Sequence, residues 1–213
     1  ARRHRLIDLG GELEYPSGLY SLRFRFVHAL YQNAFYASVV GRRRAQWHAA
    51  AAQGLRHLWG RQIEPIAVAL AVHLEKARDI GGAIDAYPTA ADIVGRAAPR
   101  DAAPLLSRAL ELTARLEGDD ANPRRASLLV RLARLDAETA ELVGDASLYG
   151  RAEAYALQAL ELEPGSAEAR TTLALIRLER GDNHAAFADF VDVLRRQPDF
   201  GAAWDGLAYL FKN

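Results

Sequence analysis

Cysteine and methionine are both absent from the 213 residues. Without cysteine the chain can form neither a disulfide nor a thiolate metal site, which fits a cytoplasmic protein. Without methionine it lacks a natural start, so Ala1 is expected to be a processed, tagged or excised end. Lysine is scarce: apart from Lys76 and Lys212, every basic side chain is arginine. Such skewed usage reflects genomic base composition more often than function. Long apolar runs are missing too. The best, Ile66 to Leu74, falls well short of the roughly 18 residues that span a bilayer. No apolar stretch follows the basic N-terminus ARRHRLIDLGGE, so no secretory leader is expected. Neither lysine follows a glycine, which rules out a phosphate loop in this chain. There is no HExxH and no pair of histidines four residues apart, and a metal site is not expected. There is no GxSxG either, no serine, histidine and aspartate spacing stands out, and no catalytic residue is assigned.

What is present is a chain that can build a core. Half of the residues are hydrophobic, which argues against disorder. Formal net charge is zero but unevenly spread. Up to Arg61, 10 Arg stand against 3 Asp and Glu; the remainder holds 17 basic and 24 acidic residues. This asymmetry divides the chain into a basic part, residues 1–60, and an acidic part, residues 61–213.

The two parts also differ in pattern. Leu13 to Pro16, a turn at Ser17-Gly18, and Tyr20 to Phe26 read as a hairpin. Its second arm alternates Leu22, Phe24 and Phe26 with Arg23 and Arg25, the period of a half-buried strand. Phe24 and Phe26 are expected to face inward. A helix is predicted from about Val27 to Val40, ended by Gly41, and another from about Arg42 to Trp59, ended by Gly60. From Glu64 onward the pattern is helices and short turns. The turns fall at Arg78-Asp79, Ala98-Pro99, Gly118 to Pro123, Gly144-Asp145, Pro164-Gly165, Gly181-Asp182 and Gln197-Pro198.

Self-comparison carries the most specific signal. A shift of 34 residues lays Pro164 on Pro198, Leu160 on Leu194, Ala152 on Ala186, Leu173 on Leu207, Ala174 on Ala208 and Arg170 on Trp204. The segment Ala167 to Pro198 resembles one tetratricopeptide repeat. Leu173 and Ala174 match its large-then-small pair, Gly181-Asp182 its turn, Ala186 and Phe190 its small and aromatic positions, and Pro198 its close. Arg170 and Arg177 depart from it by standing where aromatics are usual, and Val193 by standing where alanine is usual. Upstream, Ala83, Tyr87 and Ala90, and again Ala102, Leu106 and Ala109, keep the small-large-small spacing. A small residue opposite a large one lets helices nest, and hairpins that cannot bury their apolar faces alone must stack. The expected fold is therefore all-α, a superhelix of tetratricopeptide-like hairpins. Ala208 is expected to pack near the preceding hairpin.

A second resemblance covers roughly residues 13 to 95. Arg25, Phe26, His28, Ala29, Leu30, Tyr31, Tyr36, Arg43, Arg44 and His48, then Ala71 to Glu75 and Ala77 to Asp79, carry it. This stretch is similar to the junction after the nucleotide-binding core of bacterial STAND-class signalling ATPases, where a winged-helix-like subdomain leads into tetratricopeptide-like helices. The resemblance implies that residues 1–60 are a winged-helix-like remnant holding the β-hairpin. It also implies that His28 would face a bound nucleotide if a nucleotide-binding core were present.

Two surfaces follow from these readings. The repeat register places Glu168, Thr171, Leu175, Leu178, Glu179, Asp205 and Tyr209 on the concave face, suited to a basic or apolar peptide or a helix. Arg42, Arg43, Arg44, Trp47 and His48 form the one basic-aromatic cluster, which Arg2, Arg3 and Arg5 could join. The expected function is a non-enzymatic interaction and sensor scaffold without cofactors, part of a signalling or transcription-regulating ATPase. The alternatives are a freestanding tetratricopeptide adaptor, or nucleic-acid binding through the basic N-terminal part. Trp204 and Phe211 expect a covering helix, so weak self-association through the C-terminal helix is predicted.

Overall fold

The computed structural model describes residues 5–116, 118 and 120–212. Their order is β1 (Ile7–Glu14), β2 (Tyr20–Phe26), α1 (Ala29–Ser38), α2 (Gly41–Trp59), a 3-10 turn (Glu64–Ile66), α3 (Ala67–Lys76) and α4 (Ile80–Gly95). Then come α5 (Pro99–Thr113), α6 (Ala121–Val143), α7 (Ser147–Leu162), α8 (Ala167–Glu179), α9 (Asn183–Arg196) and α10 (Gly201–Lys212). Two compact units divide between Ala90 and Ala91. The compositional break expected after residue 60 lies well before that division.

In the first unit β1 and β2 pair antiparallel, Ile7 opposite Phe26 and Leu9 opposite Phe24. The register then shifts at a bulge between Leu9 and Gly11, and Gly11 takes a φ of 108° that a side chain would resist. This bulge explains why the first strand is longer than expected: the paired glycines hide the alternation that precedes them. Phe26 rests on Phe35 of α1, with ring centroids 6.1 Å apart. Phe24 does not turn inward. It is 61% exposed, because no described element of this unit covers that face of the hairpin. The hairpin turn is tied to the end of α2: Ser17 donates its N–H to the Leu58 carbonyl, and Tyr15 meets Trp59 edge-on. Gly41 starts α2 rather than ending α1, whose cap is Val39.

The turn between α3 and α4 repeats the chemistry of the turn between α8 and α9. Gly181 takes a left-handed φ of 83°, and the Asp182 carboxylate accepts the Ala185 N–H. At the earlier turn Arg78 adopts φ 68° and Asp79 accepts from the Gly82 N–H at 2.9 Å. Each aspartate thus satisfies an N–H that opens a helix. Tyr87 of α4 donates its hydroxyl to Glu75 of α3 at 2.5 Å.

In the second unit each helix from α5 to α10 packs on the next, and α6 meets α8 as α8 meets α10. Sequential neighbours that pack while alternate helices also touch make a stack of hairpins. Ala174, Ala186 and Phe190 form one core with Val193, Ala203 and Leu207. Leu173 turns the other way, toward α6 and α7, where it meets Ala133, Ala152 and Ala156. The large residue of the pair therefore joins successive hairpins, and the small one lets α9 nest against α8. Gly206 is part of the same device. A Cβ there would lie 2.4 Å from the Phe190 ring. Ala208 is exposed, against expectation. Its counterpart Ala174 is covered by the α9 that follows it, whereas no described helix follows α10. The upstream small-large-small sets, Ala83, Tyr87, Ala90 and Ala102, Leu106, Ala109, are all buried.

Candidate interaction surfaces

The face predicted from the repeat register is partly assembled. Glu168, Leu175 and Glu179 are exposed on α8, and Asp205 and Tyr209 on α10. Leu178 is half-buried against the core that holds Phe190. Thr171 departs from the prediction: it is 1% exposed and turned into the helix packing. Spacing alone points to it, and spacing cannot tell a groove floor from an interhelical contact. The part supplied by α6 is likewise missing from the sequence reading. A concavity beside Glu168 is lined by Arg131, Arg134 and Glu138 of α6 together with Asp92 and Leu106. Arg134 pairs with Glu168 at 3.1 Å and Arg131 pairs with Asp92. The face thus combines cations with the acidic and apolar groups expected.

Ion pairs stitch this unit together. Arg170 and Arg177 converge on Asp189 of α9, which is 8% exposed, with N–O distances of 3.5 and 2.6 Å. Arg170 also meets Asp192 at 3.1 Å, and Arg177 reaches Glu153 of α7 at 3.4 Å. Arg180 bonds Glu153 as well. Here the two departures from the repeat pattern find their reason. Where an aromatic ring would fill space, an arginine stem packs and its head is neutralised. Arg151 of α7 clamps the buried Asp136 of α6 with two bonds, at 2.5 and 2.7 Å. The Asp136 carboxylate holds the Arg151 guanidinium more firmly protonated than usual.

The first unit is arranged differently. His28 caps α1, its Nδ1 accepting the Leu30 N–H at 3.2 Å, and its ring lies edge-on to Tyr31. On α2, Arg43 lies over the Trp47 ring at 5.6 Å, and Arg44 over Tyr36 at 5.2 Å. His48 is drawn into a relay: Tyr36 Oη lies 2.8 Å from His48 Nε2, and His48 Nδ1 lies 2.8 Å from His73 Nδ1 on α3. Burial, then the facing imidazole, Lys76 and Arg44, lower the His48 pKa; burial and Lys76 lower that of His73. Motif spacing offers these histidines only to metals and nucleotides; their pairing is invisible there because the partners sit 25 residues apart. Arg2 and Arg3 lie outside the described residues. Among those residues no group of three or more His, Asp or Glu is suited to hold a metal, and no helix is long and apolar enough to cross a membrane.

With α6, α8 and α10 aligned, solved structures can be set beside the chain. The fold is tetratricopeptide-like. BtubC (BKLC) from P. vanneervenii shares 15% identity over 82% of this chain and 84% of its own, with a TM-score of 0.51. The assembly chaperone of RpL4 (Acl4) shares 16% over 81% and 69%, with a TM-score of 0.50. A thermophilic TPR protein of Thermus thermophilus, TTC0263, shares 21% over 87% and 95%, with a TM-score of 0.34. Identities this low speak to fold alone. No family model and no curated protein matches the sequence.

Proposed function

We propose that this chain is a non-enzymatic protein-interaction and sensor scaffold that holds a peptide or a helix on the face shared by α6, α8 and α10. The observation that carries the reading is the contact of α6 with α8 and of α8 with α10. These contacts line up alternate helices, so that Glu168, Leu175, Glu179, Asp205 and Tyr209 stand exposed on neighbouring rows. Exposed leucine and tyrosine give a ligand apolar contact, and the flanking carboxylates favour a basic one. Selecting binders from a random-peptide display library with the full chain tests this. Binders rich in Lys, Arg and apolar residues are expected, and Leu175→Glu with Tyr209→Ala should abolish their binding. Selected binders indifferent to both changes would overturn the reading.

The finer proposal places this scaffold in the cytoplasm as the C-terminal region of a bacterial signalling or transcription-regulating ATPase of the STAND class. The basic-aromatic junction around Tyr36, Arg44 and His48 supports it, as does the passage from a hairpin into stacked helices. An upstream phosphate loop in the same reading frame is expected. A start codon directly before Ala1 would favour the freestanding adaptor instead. The chain by itself should not bind ATP tightly; micromolar binding by calorimetry would contradict this and point first at His28 and its arginine neighbours. The exposed Trp204 and Phe211 on α10 support weak end-to-end self-association, which sedimentation at rising concentration tests.

A further inference from the structure

From Tyr15 to Ile63 the sequence contains no aspartate or glutamate, yet it carries seven arginines. Three of them, Arg42, Arg43 and Arg44, sit in the first turn of α2, where there is no acidic residue. The amide end of a helix is already positive, so cations there cost stability. None of the three has a carboxylate within ion-pair distance among the described residues. Instead Arg43 and Arg44 are laid on the rings of Trp47 and Tyr36, contacts that fix a guanidinium without neutralising it. Trp47 is 49% exposed beside them. The surface therefore offers fixed, uncompensated forks next to an open aromatic face, in a place where the helix itself disfavours positive charge.

We infer that this face of α2, built by Arg42, Arg43, Arg44, Trp47 and Tyr36, docks an acidic amphipathic segment of another protein. The carboxylates of the segment meet the guanidinium forks, and its apolar side chains cover Trp47. Charge complementarity selects the anion, and carboxylate fits a planar fork bidentately. A protein segment fits better than nucleic acid for two reasons. Consecutive helical positions point about 100° apart, so the three arginines cannot line one phosphate strand. The chain as a whole is also neutral, whereas a nucleic-acid-binding domain is expected to be basic. This surface is separate from the α6–α8–α10 face and independent of its assignment.

Fluorescence polarisation with the full chain tests the inference. The probe is a labelled peptide carrying glutamate and leucine at helical spacing, with a lysine–leucine counterpart and a labelled mixed-sequence DNA duplex as controls. The acidic peptide is expected to bind, and to weaken as salt rises. Replacing all three arginines, as Arg42→Gln, Arg43→Gln and Arg44→Gln, should reduce its affinity by about tenfold or more. Trp47→Ala should reduce it too, while circular dichroism shows unchanged helix content. Leu175→Glu should leave it unaltered, which separates this result from the fate of the peptide-groove reading. Wild-type affinity in the triple variant would overturn the inference. So would tighter binding of the duplex at the same salt, or concentration-dependent self-association abolished by the same three changes, which would make the occupant a second copy.

Discussion

The two units treat arginine in opposite ways. In the second, Arg134, Arg151, Arg170 and Arg177 each end on a carboxylate of a neighbouring helix. In the first, Arg43 and Arg44 end on aromatic rings, with no acidic residue from Tyr15 to Ile63 to answer them. One unit spends its positive charge on internal order, and the other leaves it at the surface. Side chains of one type thus divide between structure and recognition according to what lies opposite them, which composition does not show.

The sharpest break of the comparison is in the core that the ion pairs frame. Phe190 is fully buried among Ala174, Ala186 and Leu207, and Gly206 lies against its ring. Phe190→Ala should cost about 3–5 kcal/mol of unfolding free energy in urea titrations, since the lost contacts leave a cavity. A cost below about 1 kcal/mol would mean that α10 does not close over this ring. Next comes Ala174→Leu, which inserts volume where α9 nests on α8 and should cost about 1–3 kcal/mol. A variant as stable as the parent would refute the close approach of these helices.

Much of this core is legible in the sequence. Spacing alone picks out Ala174, Ala186 and Phe190, because a small residue opposite a large one leaves a periodic trace. The upstream alanines stand out the same way. Other features leave no such trace. Asp189 reads as one more charge on an amphipathic helix; its burial depends on Arg170 and Arg177 arriving from another helix. Thr171 and Leu175 are four residues apart in α8, yet one is buried and the other exposed, a difference decided by neighbours on α6 and α10. Gly10-Gly11 conceals half of β1, and Gly41 reads as a stop because glycine favours both ends of a turn.

A third test sets the two kinds of arginine directly against each other. Asp189→Ala leaves Arg170 and Arg177 without their shared carboxylate. Each arginine is three-quarters covered rather than fully buried and each keeps a second acidic neighbour, so the cost should be about 1–2 kcal/mol, below that of a fully buried pair. Replacing Arg42, Arg43 and Arg44 by glutamine should change stability by no more than about 0.5 kcal/mol, and in the stabilising direction, because the helix dipole opposes the charges it removes. Equal losses at both places would erase the distinction between structural and surface arginines.

The smallest expected effect concerns the relay in the first unit, and its sign can be worked out. With both imidazoles neutral, Tyr36 donates its hydroxyl proton to His48 Nε2, and His48 donates through Nδ1 to His73 Nδ1. A second proton on this pair sets two cations against each other, with Lys76 and Arg44 adding to the repulsion. Both pKa values are lowered on folding, chiefly by burial. The unfolded chain therefore binds protons first as pH falls below about 6.5. The stabilising contact is present above that pH, declines through the window between the unfolded and folded values, and levels off below it. Denaturant midpoints measured at about pH 7.5 and about pH 5.5 should differ, with the acid sample weaker. His73→Gln keeps a hydrogen-bonding side chain but removes one titrating partner, and should reduce that difference. A midpoint difference that the variant reproduces in full would assign the pH dependence to other groups and leave the imidazole pair a static contact between α2 and α3.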